Sequence, residues 1–310
     1  MTPLPRFNRS LPNDDLGLGV RVGPGRSVNK DGTFNVRRAG LPFFRGYELY
    51  HRLITMGGFR FLALLFLGFL VANALFAAVY LGIGMDQFIR TGGHSRLDRL
   101  MDAFFFSAQT LTTVGYGHIS PNSHLVSAVA AFESLLGLLS FALATGLLYG
   151  RFSRPHAQMR FSQRAVVAPY RGGTAFMFRF VNRRSNQLIE VEATVVLSCN
   201  DPETGTRRFV TLSLERSKIN LFPTSWTVVH PIDESSPLSG LTTEDLERAQ
   251  AEFIVLIKAF DDTFAQTIYQ RTSYIAGEIL WGARFQPMAT LAVDGVMEMD
   301  VEKVDATEVV

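Results

Sequence analysis

At 310 residues the chain is long enough for about two domains, and a mean hydropathy of +0.15 beside 19% charged residues shows that apolar residues are concentrated, here before residue 150. A net charge of +2 is too close to neutral to argue for a nucleic-acid partner, and none is expected. The single cysteine, Cys199, excludes an intrachain disulfide framework and a cysteine-rich metal site. Residues 1–40 are rich in Pro, Gly, Asn and Arg, carry no signal-peptide pattern, and read as an irregular cytoplasmic arm.

Over residues 41–57, Tyr47, Tyr50, Leu53 and Ile54 fall at helical spacing, with Arg45, Glu48 and Arg52 mostly on the other face. Such a helix ahead of a membrane span lies in the interface plane, although packing on a soluble domain would give the same pattern. Phe59 to Ile83 is a first span, apolar apart from Arg60 at its edge and Asn73 within it. Asn73 is costly against lipid and is expected to face a neighbouring helix. Met85 to Arg99 reads as an exposed polar loop, and Asp102 to Leu111 as a re-entrant helix too short to span a bilayer.

Thr112 to Gly117 follows that short helix. Gly115 and Gly117 permit backbone angles that other residues avoid, so successive carbonyls can point one way and replace the water around a dehydrated cation. Thr113 to Gly117 reads TVGYG, which is matched rather than derived: it is the loop that lines potassium-selectivity filters. Thr113, Val114, Gly115 and Tyr116 are the candidate K+ ligands. One chain supplies one side of a ring, so several copies are required.

Leu125 to Tyr149 is a second span, rich in small residues. Glu133 is the only ionisable residue inside either apolar segment proper. It is grouped with the pore and gate residues, behind or below the filter and hydrogen-bonded to short-helix or filter groups, with a structural buffer rather than an ion ligand as the other reading. Gly137 is a candidate bending point. Residues 1–60 hold ten Lys and Arg, and Arg151, Arg154, Arg160 and Arg164 follow the second span, which places both termini in the cytoplasm. Arg151 and Arg154 are the candidate contacts for anionic lipid, at roughly 1 kcal/mol per charge near the surface.

Beyond Phe161 short runs rich in β-branched and aromatic residues alternate with turn clusters, as in Ala175 to Val181 and Glu252 to Phe260, and indicate a β-sandwich. Thr242 to Gln250 is the one brief helix there. The expected organisation is an arm (1–40), an interfacial helix (41–57), a transmembrane pore region (58–150), a basic linker (151–164), a cytoplasmic β-sandwich (165–295) and a frayed acidic tail (296–310). The six histidines lack metal spacing, and no catalytic constellation is present; no enzymatic turnover and no cofactor is expected.

Two spans around the filter string, Arg151-Phe152-Ser153-Arg154-Pro155, Ser225 to Asp233, Ser235-Ser236-Pro237, and Arg271 to Tyr274 with Glu278 to Gly282 together resemble the bacterial inward-rectifier potassium channels, the KirBac family, over roughly residues 40–290. The resemblance implies a membrane α plus cytoplasmic all-β fold: a two-helix pore module with a re-entrant pore helix, then an immunoglobulin-like β-sandwich, assembled as a homotetramer in the bacterial inner membrane. It implies a hydrophobic gate at Tyr149, with Phe141 facing the cavity, and a cytoplasmic constriction lined by Asp261 to Gln266. The blander reading of Tyr149 is an aromatic at the membrane interface. Phe141 stands where strongly rectifying relatives carry an acid, so Mg2+ and polyamines are expected to block only weakly. The filter-supporting Glu–Arg pair of animal relatives falls at Gln109 and Ile119, leaving Glu133 as its substitute, and the glycine of the constriction is replaced near Ala259. A non-conducting membrane-anchored sensor is the alternative function, and a channel opened by a cytoplasmic ligand the alternative gating mode.

Overall fold

In the computed structural model, described residues are 25–37, 46–89, 95–152, 158–184, 186–201, 206–292 and 294–310. They form two compact units, one within residues 40–154 and one that joins the segment 25–37 to the chain beyond 155.

The first unit is helical. Helix α1 (Gly46–Thr55) ends before Gly57, which caps α2 (Gly58–Ile83). A short pair, β1 (Phe88–Ile89) with β2 (Ser120–Pro121), ties together the two ends of the connection between the long helices. Between them lies α3 (Arg96–Leu111), and α4 (His124–Phe152) closes the unit. Helices α2 and α4 have 26 and 29 residues, long and apolar enough to cross a bilayer. Helix α3 starts earlier than the expected Asp102. Ser95 accepts from the Asp98 backbone and the Asp98 carboxylate accepts from the Ser95 backbone, a capping box that converts part of the expected loop into helix. Asp98, not Asp102, therefore sits in the first turn.

The second unit is a β-sandwich. One sheet has the order β11 (Gln266–Ile275), β10 (Glu252–Asp261), β6 (Leu188–Asn200), β7 (Arg207–Thr211), with β8 (Lys218–Phe222) also on β6. The other has the order β12 (Ile279–Trp281), β4 (Ala165–Tyr170), β5 (Gly173–Asn182), β3 (Met159–Phe161), with β9 (Ser225–Ile232) on β5. Phe176 of β5 stacks on Phe253 of β10 at 4.4 Å, and Phe180 on Phe222 at 5.3 Å, filling the space between the sheets. Helix α5 (Thr243–Arg248) is capped by Thr242 and Asp245.

Three boundaries differ from expectation. The basic linker is shorter than 151–164, because α4 runs through Phe152 and β3 begins at Met159. The tail is not frayed: β13 (Ala283–Phe285) pairs with β16 (Thr307–Val309), β14 (Ala289–Leu291) pairs with β15 (Met297–Met299), and Val301–Asp305 forms a 3-10 turn. Its cause is strand β5, buried on both faces. Val181 packs against Met288 and Val304, and the Arg179 guanidinium lies 4.6 Å over Phe285 and donates to the carbonyls of Gln286, Lys303 and Val304. Arg160 holds Glu302 and Asp305 at 2.7 and 2.9 Å. The third difference is the arm, whose described residues 25–37 dock on the sandwich. The Ser27 and Val28 amides donate to the buried Glu252 carboxylate, which also pairs with buried Arg207 at 3.1 Å. Arg26 donates to Ser273 and Glu278. A carboxylate buried with two amides and a guanidinium is satisfied, and removing the arm would take away both amide donors.

Candidate functional site

The site is the loop after α3, and its backbone hand is the first observation. Thr113, Gly115 and Gly117 have φ of +60°, +54° and +74°, whereas Val114 and Tyr116 between them are not left-handed. Alternating hand removes the up-down alternation of a strand and turns successive carbonyls toward one side. Glycine accepts positive φ freely, but Thr113 is β-branched, and holding it there costs on the order of 1–3 kcal/mol. The compensation comes from α3. The Thr113 amide donates to Thr110 O (3.0 Å), and the Val114 and Gly115 amides both donate to Gln109 O (2.9 and 3.3 Å). Amides tied back to the end of α3 leave the carbonyls of Thr113 to Tyr116 unclaimed by those bonds. Such a row offers oxygen ligands to a dehydrated cation.

Behind the loop, α2, α3 and α4 share a buried polar network. Ser107 Oγ lies 3.0 Å from Asn73 Oδ1 and 2.5 Å from Glu133 Oε1, and the Tyr80 hydroxyl donates to Glu133 Oε2 at 2.5 Å. Asn73 also donates to Phe69 O at 2.7 Å. Tyr80 is wedged edge-on against Phe88 and Phe106. Glu133 is fully buried, so its grouping with pore-lining and gate residues needs correction: it touches no open surface of the chain and joins the three helices instead.

Helix α4 continues unbroken through Gly137, and a Cβ there would meet the Leu111 carbonyl oxygen at 1.9 Å, so the glycine permits the close approach of α3. One residue that the sequence reading passed over belongs beside it. Ser134 Oγ donates to Thr110 O at 3.3 Å, and its only advance signal was membership of the small-residue stripe.

Phe141 and Tyr149 of α4 are exposed by 72% and 74% among the described residues. Arg151 is not a free cation. It donates to Leu53 O at 2.8 Å, satisfying a carbonyl of the last turn of α1, and lies 4.6 Å over the Phe61 ring. Arg154 lies outside the described residues. In the β-sandwich, Asp261 is buried and accepts from Asn186 and from the Thr263 and Phe264 amides, so it organises its turn and lines nothing; Asp262 is the exposed acid there. Ala259 packs in the core and cannot face a constriction.

Residues 61–154 match the ion channel family, and residues 159–310 match the inward rectifier potassium channel C-terminal domain. The chain is 39% identical over 284 residues to inward rectifier potassium channel Kirbac3.1 of Paramagnetospirillum magnetotacticum, covering 90% of this chain and 94% of that protein. It is 30% identical over 251 residues to inward rectifier potassium channel 18 of Homo sapiens and 29% identical over 251 residues to ATP-sensitive inward rectifier potassium channel 12 of Gallus gallus. Each of those matches covers 74% of this chain and 58% of the relative. Two apolar helices around the carbonyl loop, a β-sandwich matched to its end, and near-complete overlap with a bacterial relative agree: this chain is a membrane protein that belongs to the inward rectifier potassium channel family.

Proposed function

We propose that four copies of the chain surround an axis and conduct K+ passively through a filter made by the carbonyls of Thr113, Val114, Gly115 and Tyr116. The observation that carries this reading is the alternation of hand at Thr113, Gly115 and Gly117, with the intervening amides anchored on Gln109 O. A ring is required because one chain supplies oxygens on one side of an ion only. Both termini are cytoplasmic, in keeping with the excess of Lys and Arg outside the connection between the spans.

The gate lies where the second spans converge, at Tyr149, with Phe141 facing the cavity above it. Their exposure among the described residues supports this placement. An apolar Phe141 offers Mg2+ and polyamines little attraction, so they act as weak blockers. Anionic lipid adjusts the gate through Arg151 and Arg154, because cations at the membrane surface attract headgroups and Arg151 also ties α1 to α4.

The test is K+ flux from liposomes holding the purified chain, titrated with anionic lipid and blocked with Ba2+. Ba2+-sensitive flux that responds to lipid is the expected result. No flux in any lipid mixture would identify a sensor that has lost conduction.

A further inference from the structure

The residue after the last filter glycine is a histidine. His118 follows Gly117 directly, is exposed, and makes no hydrogen bond or ion pair among the described residues. Its backbone is nevertheless held on both sides. Upstream, Val114 and Gly115 are tied to Gln109 O; downstream, Ser120 and Pro121 pair with Ile89 and Phe88, and the Asn122 amide donates to Gln87 O at 2.8 Å. An unengaged imidazole therefore stands on a strut pinned at each end.

We infer that His118 from each copy around the axis together form a metal site at the outer mouth of the filter, which binds an imidazole-seeking divalent cation such as Zn2+ and thereby blocks conduction. The inference rests on the filter-and-ring reading above. Filter backbone must approach the axis closely enough for its carbonyls to replace water around an ion. The His118 Cα lies two residues beyond Tyr116, the last filter carbonyl, roughly 7 Å of chain at most, so its side chain is within reach of the axis. Rotational symmetry then presents equivalent imidazoles to one point. Within a single chain no three His, Cys, Asp or Glu side chains gather among the described residues, so the site is incomplete without the other copies.

The chemistry separates this site from the filter. K+ takes carbonyl oxygen, whereas Zn2+ takes imidazole nitrogen at about 2.0–2.1 Å. A divalent ion held there obstructs the path and repels K+ leaving or entering it. His124, the first residue of α4, is exposed too and serves as the comparison, since it lies beyond the β2 strand rather than at the filter end.

The experiment uses the full-length chain in liposomes, with ZnCl2 added outside and Ba2+-sensitive K+ flux as readout. Zn2+ is expected to inhibit part of that flux, with recovery on adding a chelator. H118Q is expected to keep the flux and its Ba2+ block while needing more Zn2+, by at least the ~10- to 100-fold that loss of even an outer-shell partner of a metal ligand costs. H124Q is expected to match the unmodified chain. Absence of Zn2+ inhibition in the unmodified chain, equal inhibition in H118Q, or loss of inhibition in H124Q alone would each overturn the site. Should H118Q fail to assemble, H118N provides the same comparison. Absence of any Ba2+-sensitive flux in the unmodified chain would strike the filter reading first, and the ring with it.

Discussion

Gly137 of α4 passes so close to the carbonyl of Leu111 that a Cβ would lie 1.9 Å from its oxygen and 2.8 Å from its carbon. Both atoms are backbone, at the end of α3, so no side chain can turn aside to make room. An alanine must push α3 away from α4, and the carbonyl of Gln109 that anchors Val114 and Gly115 moves with it. G137A is therefore expected to lose assembly or the preference for K+ over Na+. G146A adds a methyl to open space on the same helix and should keep both. Paired K+ and Na+ flux measurements check this, and indistinguishable variants would show that the close contact is without consequence.

Glu133 links Tyr80 of α2 to Ser107 of α3. Truncation to Ala leaves the Tyr80 hydroxyl and the Ser107–Asn73 pair without that partner, at about 1–3 kcal/mol for each polar group left unsatisfied. E133Q retains an oxygen for Tyr80 and a donor for Ser107. The expected order of thermal stability in detergent is unmodified, then E133Q, then E133A, with selectivity lost in the same order. If E133A and E133Q were equally impaired, the carboxylate itself rather than the hydrogen-bonded tie would be what matters.

Arg151 carries two contributions that a lysine can separate. R151K keeps the charge, but it lacks the planar fork that stacks on Phe61 while donating to Leu53 O. Flux at saturating anionic lipid is expected to fall in R151K as it does in R151Q. The two should differ in how much lipid is needed, because one charge near the surface is worth about 1 kcal/mol. Were R151K to behave as the unmodified chain in both respects, the tie between α1 and α4 would drop out of the mechanism.

The parts of this fold that were readable in advance are those written in contiguous residues. Spans declare themselves because lipid leaves every exposed backbone group to be satisfied within the helix, which demands long apolar runs. The carbonyl loop declares itself because alternating hand needs glycine at Gly115 and Gly117. Thr113 adopts the same hand without being glycine, so its strain had no composition to betray it. The missed first turns of α3 were legible in principle, since Ser95 and Asp98 have capping-box spacing, but the pair lies in a stretch whose glycines suggested a loop. The docked tail had a quieter signal. Ala175 to Val181 is apolar on both faces apart from Arg179, which marks a strand that must be covered twice, yet nothing local says that Val304 and Met288 supply the cover. Ser27 on Glu252 leaves no pattern at all, because a backbone amide meeting a carboxylate 225 residues away is invisible to periodicity.

The β-sandwich also carries a pH dependence whose sign can be worked out. His230 donates from Nδ1 to Ser213 O at 2.6 Å, and in the neutral ring Nε2 accepts from the Ser236 hydroxyl at 2.8 Å. Burial disfavours the charged ring and holds its pKa below the usual 6.5, outweighing the bond to Ser213 and the nearby Asp233. Between the folded value and 6.5 the unfolded chain binds more protons than the folded one, so stability falls as pH drops through that window and is untouched by this group above it. Asp233, whose own pKa is lowered chiefly by the Ser235 hydroxyl, stays ionised through the same window and does not confuse the reading. Both tryptophans, Trp226 and Trp281, lie in the sandwich, so intrinsic fluorescence follows its unfolding. On acidification from about pH 7.5 to about pH 5.5, the midpoint of the unmodified chain is expected to fall further than that of H230Q. H230Q should begin lower at the higher pH, because it gives up the paired bonds to Ser213 and Ser236. Parallel declines in the two chains would assign the acid sensitivity to other groups and leave His230 a packing residue.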